Sequence, residues 1–303
     1  MAKFGVIGLG DIAQKAYLPV YSKMKDQEFH FFTRNQEKLT AIGSQYRFEH
    51  LHSSLESLLG SGIAGAFVHS STASHEEIVE LLLQHNIHVF VDKPITDRFE
   101  SAARMVELAE KKNLILMTGF NRRFAPSYQQ LKQVANPNMV IVQKHRKAHP
   151  GEPRTFIYDD FIHVVDTMRY LFPHPIDELI VNGRMVEDSL YHVIVQFRSG
   201  GASAIGIMNR DNGTNEEIAE VMGPLEKRSV YNVSKLVVSK GMETIEVRGN
   251  DWEPTLGKRG FEQMVADFVK AVTTGSKVSI SASDALETHE ICEKILSKLG
   301  RDR

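Results

Sequence analysis

The first 118 residues alternate between short apolar runs rich in β-branched and aromatic residues and longer amphipathic stretches. The runs predict strands over Lys3–Gly8, Phe29–Thr33, Ala64–His69, Ile87–Asp92 and Leu114–Thr118. Between them apolar positions recur at helical spacing, as in Ile78, Leu81 and Leu82, and again in Met105, Val106, Leu108 and Ala109. Strand–helix alternation of this kind folds as a parallel sheet with right-handed crossovers and helices on both faces. Residues 1–120 are therefore expected to form a doubly wound α/β domain.

Beyond Gly119 the pattern changes. A helix is predicted over Pro126–Val134, then a strand over Met139–Arg146, the Pro/Gly-rich loop AHPGEP (148–153) and a helix over Asp159–Phe172 stopped by Pro173. From Ile176 to Val247 strand follows strand: ELIVNGRMV, SLYHVIVQF, ASAIGIMN, EIAEVMG, RSVYNV, KLVVSK and ETIEVRG, separated by turn residues. Helices over Gly260–Thr274 and Ala282–Leu299 complete the pattern. Residues 121–303 thus read as an α+β domain on an open, mostly antiparallel sheet. A cleft between the two domains is the expected site.

Composition narrows the function classes. At 303 residues the chain suits two domains, and 42% hydrophobic with 24% charged residues is ordinary for a globular protein. A net charge of −2 gives no field favouring nucleic acid or a membrane surface. The single cysteine, Cys292, lies in an apolar helical pattern, excludes an internal disulfide and fits a reducing compartment. With neither a secretory leader pattern nor a membrane-spanning run, a cytoplasmic location is expected.

Candidate chemistry sits at the ends of the strands. Gly8, Gly10 and Ala13 form G-x-G-x-x-A between a strand and a helix, with Asp11 and Ile12 at the helix start. Small residues at these points permit the tight turn, backbone approach to a pyrophosphate and close helix–strand packing, so a Rossmann dinucleotide site is expected over an ordinary βα turn. The end of the second strand reads Phe32-Thr33-Arg34-Asn35, without the carboxylate that selects NAD; Thr33 and Arg34 suit a 2′-phosphate, so NADP is favoured over NAD. In HSSTASH (69–75), Ser70, Ser71 and Thr72 are candidates to line the cofactor. Ser74 reads as a helix cap in a capping box with Glu77, and His75 is open between site and structure.

Lys93-Pro94 closes the fourth run on the same edge, where a lysine would hold substrate and nicotinamide and stabilise a developing alkoxide. Asp159 and His163 lie four apart and share a helical face, with Asp166 three further along it. A histidine there would take the proton from a substrate alcohol as hydride leaves, with the carboxylate orienting it. Asn121, Arg122 and Tyr158 are candidate substrate contacts, one of Arg122 and Arg123 being reserved for the domain junction. Lys144, His145, Arg146, Lys147 and Arg154 read as a solvated basic edge, with an anionic substrate on Arg146 as the alternative. Trp252 is left open between lid, interface and packing. No group of His, Cys and carboxylates shows zinc-ligand spacing, so no metal is expected.

With GLGDIA, SSTASH, VDKP, GFNRRFAP (119–126), DDFIHVVD and RGFEQMVADFVKAV in place, the chain resembles the glucose–fructose oxidoreductase/inositol dehydrogenase (Gfo/Idh/MocA) family nearly end to end, and its MviM-like branch in particular. The resemblance implies Lys93 as catalytic lysine, Asp159 and His163 as the acid/base pair, and a nicotinamide cofactor on Gly8, Gly10 and Ala13. Asp92 stands where the family usually has glutamate. It further implies a homodimer or homotetramer built through the open sheet face, and hydride transfer on a hydroxyl or carbonyl of a sugar-like or polyol substrate. A non-catalytic NADP(H) sensor and a reductase of an imine or tetrapyrrole-like acceptor are the alternatives.

Overall fold

The computed structural model describes residues 1–250 and 252–300. The chain divides into two compact units, Met1–Gly119 with Phe261–Glu287, and Phe120–Gly260 with the residues from Thr288 onward. The expected division into residues 1–120 and 121–303 misses that return: the segment Phe261–Glu287 groups with the first unit.

The first unit holds a six-stranded sheet in the order β3-β2-β1-β4-β5-β6. Its strands are β1 (Ala2–Ile7), β2 (Gln27–Phe32), β3 (His50–His52), β4 (Gly65–Val68), β5 (His88–Val91) and β6 (Leu116–Thr118). Every pairing is parallel. Strand order reverses between β1 and β4, and in such sheets ligands bind at the carboxyl ends of the strands flanking that point. The sequence pattern did not reveal β3, whose residues His50, Leu51 and His52 are too few and too polar to show a period.

An aromatic seam fixes this sheet. Phe4 is in register with Phe29 and Phe67 with Phe90, with ring centroids 6.0 and 5.2 Å apart. Phe268, from the helix Phe261–Thr274, sits 5.0 Å from the Phe67 ring. Phe4, Phe67, Phe90 and Phe268 are fully buried, each worth roughly 1.5–3 kcal/mol relative to exposure.

The second unit is built on an eight-stranded sheet. β7 (Met139–His145) lies inside it; β8 (Glu178–Val186), β9 (Ser189–Ser199) and β10 (Ala202–Asn209) run to one edge, and β11 (Glu216–Met222), β12 (Lys227–Tyr231), β13 (Lys235–Lys240) and β14 (Glu243–Val247) to the other. All pairs are antiparallel except β7 with β10. The helix predicted to begin at Asp159 begins earlier. Glu152 caps it by accepting from the Arg154 and Thr155 N–H groups, the stretch Phe156–Phe161 is π-helical, and Ile162–Leu171 is α-helical. Gly206 of β10 lets this helix lie close: a Cβ there would come within 2.8 Å of Val164 Cγ1 and would overlap Met168 Sδ. The stripe Ile162, Val165, Met168, Leu171 and Phe172 is buried, as is Cys292. The helix predicted over Pro126–Val134 ends at Leu131.

Candidate active site

In the first unit, a cleft of about 430 Å³ opens at the carboxyl ends of β1, β2 and β4. Gly8, Gly10, Thr33, Arg34, Ser70 and Ser71, all expected at a cofactor site, line it, together with Lys38 and His69. Gly8 has φ +90°, and a Cβ there would lie 2.5 Å from the Ser70 nitrogen, so only glycine fits the turn. A Cβ on Gly10 would meet no protein atom within 4 Å; what requires glycine here is space on the cleft side, where a pyrophosphate would approach. Ala13 is fully buried against the sheet. The cleft therefore fits a dinucleotide on its own geometry.

The flanking expectations resolve differently. Asp11 and Ile12 are exposed, with Asp11 bonded to Lys15 at 2.8 Å. Thr72 sits in a 3₁₀ turn, half-buried, beside the cleft but not lining it. Ser74 does not cap the following helix: its hydroxyl turns back to the Ser71 carbonyl at 2.8 Å and to Ser70 Oγ at 2.9 Å. His75 is a structural residue, buried and bridging the Pro94 carbonyl (2.8 Å) and the Ser70 carbonyl (3.1 Å), which ties the two strand-end loops together.

Beneath the lysine lies a network not anticipated from sequence. Tyr17 Oη donates to Asp92 Oδ1 at 2.6 Å, and His69 Nδ1 lies 3.2 Å from Asp92 Oδ2. Tyr21 Oη lies 2.8 Å from His69 Nε2, and the Tyr17 and His69 rings stack with centroids 3.9 Å apart. An ionised carboxylate only accepts, so Nδ1 carries the His69 proton and Nε2 accepts from Tyr21. Burial pushes the Asp92 carboxyl up, but His69, Tyr17 and the Lys93 ammonium together hold it below its ordinary value. Burial likewise raises the Tyr17 and Tyr21 hydroxyls, which stay protonated donors. Lys93 is half-buried at the tip of β5, and its peptide bond to Pro94 is cis. Gly119 completes the pocket around the carboxylate, since a Cβ there would stand 2.9 Å from Asp92 Oδ1.

In the second unit, Asp159 belongs to the π-helical stretch and His163 to the α-helical one, both half-buried. Arg122 Nη1 lies 3.1 and 3.2 Å from the two ring nitrogens of His163. The guanidinium stands almost equally far from both ring nitrogens and so singles out neither as its acceptor. Arg122 is buried, pairs with Glu217 through Nε (3.0 Å) and Nη2 (2.7 Å), and donates to Asn121 Oδ1 at 2.9 Å. Although burial opposes it, Arg122 pulls the Glu217 carboxyl down to about 2. Arg122 thus acts as a buried frame for His163 rather than as a mobile substrate contact. Asn121 is likewise buried, its Nδ2 on the Arg259 carbonyl at 2.8 Å.

Arg146 does not lie on a solvated basic edge. It makes a two-pronged pair with Asp160 (2.9 and 3.1 Å), and the same carboxylate receives buried Lys144 and Arg210. Burial raises the Asp160 carboxyl, but Lys144 and Arg146 drive it far below the carboxylate range. Tyr158 is buried and donates to Glu293 Oε2 at 2.9 Å, a packing position in place of the expected pocket wall. Asp166, placed on the Asp159/His163 face from spacing, is buried under Arg123 (2.7 Å) and Thr288 (3.2 Å).

A glycine-turn dinucleotide cleft at the switch point of a doubly wound sheet, joined in sequence to a separate, largely antiparallel unit, defines a nucleotide-dependent oxidoreductase. Residues 2–120 match the model of the oxidoreductase family with an NAD-binding Rossmann fold, and residues 126–241 that of the YceM-like C-terminal domain. The chain is 32% identical to the dehydrogenase MviM from Clostridium difficile (TM-score 0.94, 98% of this chain and 99% of that one). It is 30% identical to a Gfo/Idh/MocA family oxidoreductase from Vibrio cholerae (TM-score 0.91, 99% and 100%). It is also 25% identical to myo-inositol 2-dehydrogenase from Thermotoga maritima, over 93% of this chain and 91% of that protein. The chain belongs to the Gfo/Idh/MocA family of oxidoreductases. No helix among the described residues is long and apolar enough to cross a membrane.

Proposed function

We propose that this chain is an NADP(H)-dependent dehydrogenase or reductase exchanging hydride with a hydroxyl-bearing carbon of a sugar-like or polyol substrate. The observation that carries the cofactor choice is the tip of β2. Thr33, Arg34 and Lys38 line the cleft there, and no carboxylate occupies the strand end. Two cations and a hydroxyl suit a 2′-phosphate, since guanidinium pairs with phosphate through parallel hydrogen bonds. The bound nicotinamide supplies the hydride donor or acceptor. Gly8, Gly10, Ser70 and Ser71 hold the cofactor. Lys93 supplies a fixed positive charge for the developing alkoxide. His163 accepts the hydroxyl proton, and Asp159 supports the charged ring. The similarity to a myo-inositol dehydrogenase supports the polyol class.

Titration of the purified chain with NADPH and NADH tests the cofactor choice. NADPH should bind at least about tenfold more tightly, roughly 1.4 kcal/mol. Equal affinities, or tighter NADH, would overturn it.

We further propose that the outer face of the second sheet pairs with a second copy. Ile141, Ile194, Ile205, Ile207 and Ile218 stay partly exposed on adjacent strands of that face, an apolar surface of the kind that marks an interface. Light scattering should show an oligomer that Ile207→Lys dissociates; a wild-type monomer would contradict it.

A further inference from the structure

Outside the candidate active site, at the β3 edge of the first sheet, Glu28, His30 and His50 converge. Glu28 Oε1 lies 2.6 Å from His30 Nε2 and 3.7 Å from His50 Nε2, and the three ligand atoms lie within 4.8 Å of one another. The arrangement follows from strand geometry. Glu28 and His30 alternate onto one face of β2, and His50 stands directly opposite His30 on β3. Sequence spacing could not show it, because the ligands come from two strands separated by a helix and a loop.

We propose that Glu28, His30 and His50 form a binding site for a divalent transition-metal ion of the zinc class, clamping edge strand β3 to β2. Imidazole and carboxylate donors suit this class, and two histidines with one glutamate are a recurrent three-ligand zinc set. Bonds of about 2.0–2.2 Å in a tetrahedral shell separate neighbouring ligand atoms by roughly 3.4 Å. The 2.6 and 3.7 Å separations seen here bracket that value, so small side-chain movements bring both pairs to it. A second layer of support exists as well. His30 Nδ1 is 2.8 Å from His52 Nε2, and His52 Nδ1 is 2.9 Å from Ser57 Oγ. Such outer partners fix the ring orientation of a ligating histidine. Lys3 Nζ, 3.5 Å from Glu28 Oε1, pairs with that carboxylate and must yield when the ion enters. His50 is 42% exposed in its side chain and leaves a path for entry and a fourth position for water.

The test is calorimetric titration of the whole chain with zinc chloride, repeated for His50→Ala and Glu28→Gln. Thermal unfolding of each variant without metal verifies that it folds. The wild type should bind one zinc ion per chain and gain thermal stability, and each variant should bind at least about tenfold more weakly. Visible absorption of the cobalt(II) form should report nitrogen and oxygen donors and fade in His50→Ala. Absence of one-to-one binding in the wild type, or variants that bind within tenfold of it, would overturn the proposal, whatever the chain's activity with nicotinamide proves to be.

Discussion

Tyr17 and Asp92, 75 residues apart, share a 2.6 Å hydrogen bond directly below the lysine at the tip of β5. It joins the first helix of the chain to the strand that presents Lys93. His69 and Tyr21 extend the contact into a buried chain of four side chains. Asp92 is thus a positioning residue: it fixes the backbone from which Lys93 projects.

Tyr17→Phe should therefore cost more than an exposed hydroxyl would. The ring stacking on His69 survives, while a bond to a charged acceptor worth about 1.5–3 kcal/mol is lost. The Asp92 carboxyl is lower in the folded than in the unfolded chain, so its contribution is present above the ordinary carboxylate value and is lost as pH falls through the folded value. Removing Tyr17's bond raises the folded value. Urea unfolding should show the variant's deficit at neutral pH, shrinking toward the acid edge of stability; a deficit independent of pH would contradict the assignment.

Cofactor choice rests on the tip of β2. The double substitution Thr33→Asp with Arg34→Ala should weaken NADPH binding by about one to two orders of magnitude, roughly 1.4–2.8 kcal/mol, and improve NADH binding. Lys38→Ala alone should act in the same direction and more weakly. Fluorescence titration checks both, and unchanged selectivity in the double variant would defeat the 2′-phosphate reading.

The Asp160 cluster should matter to stability first. Asp160→Asn leaves Lys144 and Arg210 buried with their common carboxylate gone, a change that typically costs about 3–5 kcal/mol. Burial, together with Arg122 and Arg146, already pulls the Lys144 ammonium down to about 7 against the attraction of Asp160. Without Asp160 it should be neutral at physiological pH. Denaturant midpoints measure the loss, and a change under about 1 kcal/mol would show the cluster to be solvated.

These residues also mark where sequence reading succeeds and stops. Apolar runs and periodicity located the strands of both sheets apart from β3, and the helix Ala282–Leu299, because burial of whole strands or of one face imposes a pattern that several consecutive residues display. They missed β3, where three residues cannot display a period, and the return of Phe261–Glu287 to the first unit, which depends on tertiary contact. Gly8 and Gly10 were legible since the turn's backbone calls for them, and Thr33 and Arg34 since they stand where a strand end meets the cleft. Tyr17, His69 and Asp92 were not, for their meaning lies in contacts across the sheet. Arg146 and Tyr158 looked available because a side chain's partner is invisible in one dimension; Asp160 and Glu293 hold them. Ser74 shows the same limit at short range, its hydroxyl finding Ser71 and Ser70 instead of the helix N-terminus.

The most direct test of the account is turnover by wild type and Lys93→Ala, followed by the near-ultraviolet absorbance of reduced nicotinamide, with NADP and a panel of polyols, aldoses and sugar acids. The wild type should oxidise at least one member. Lys93→Ala should lose at least about two orders of magnitude in rate, roughly 2.7 kcal/mol of barrier, while binding NADPH nearly as tightly. A Lys93→Ala protein that turns over the same compound within a few-fold of wild type would remove the lysine from the chemistry and contradict the account.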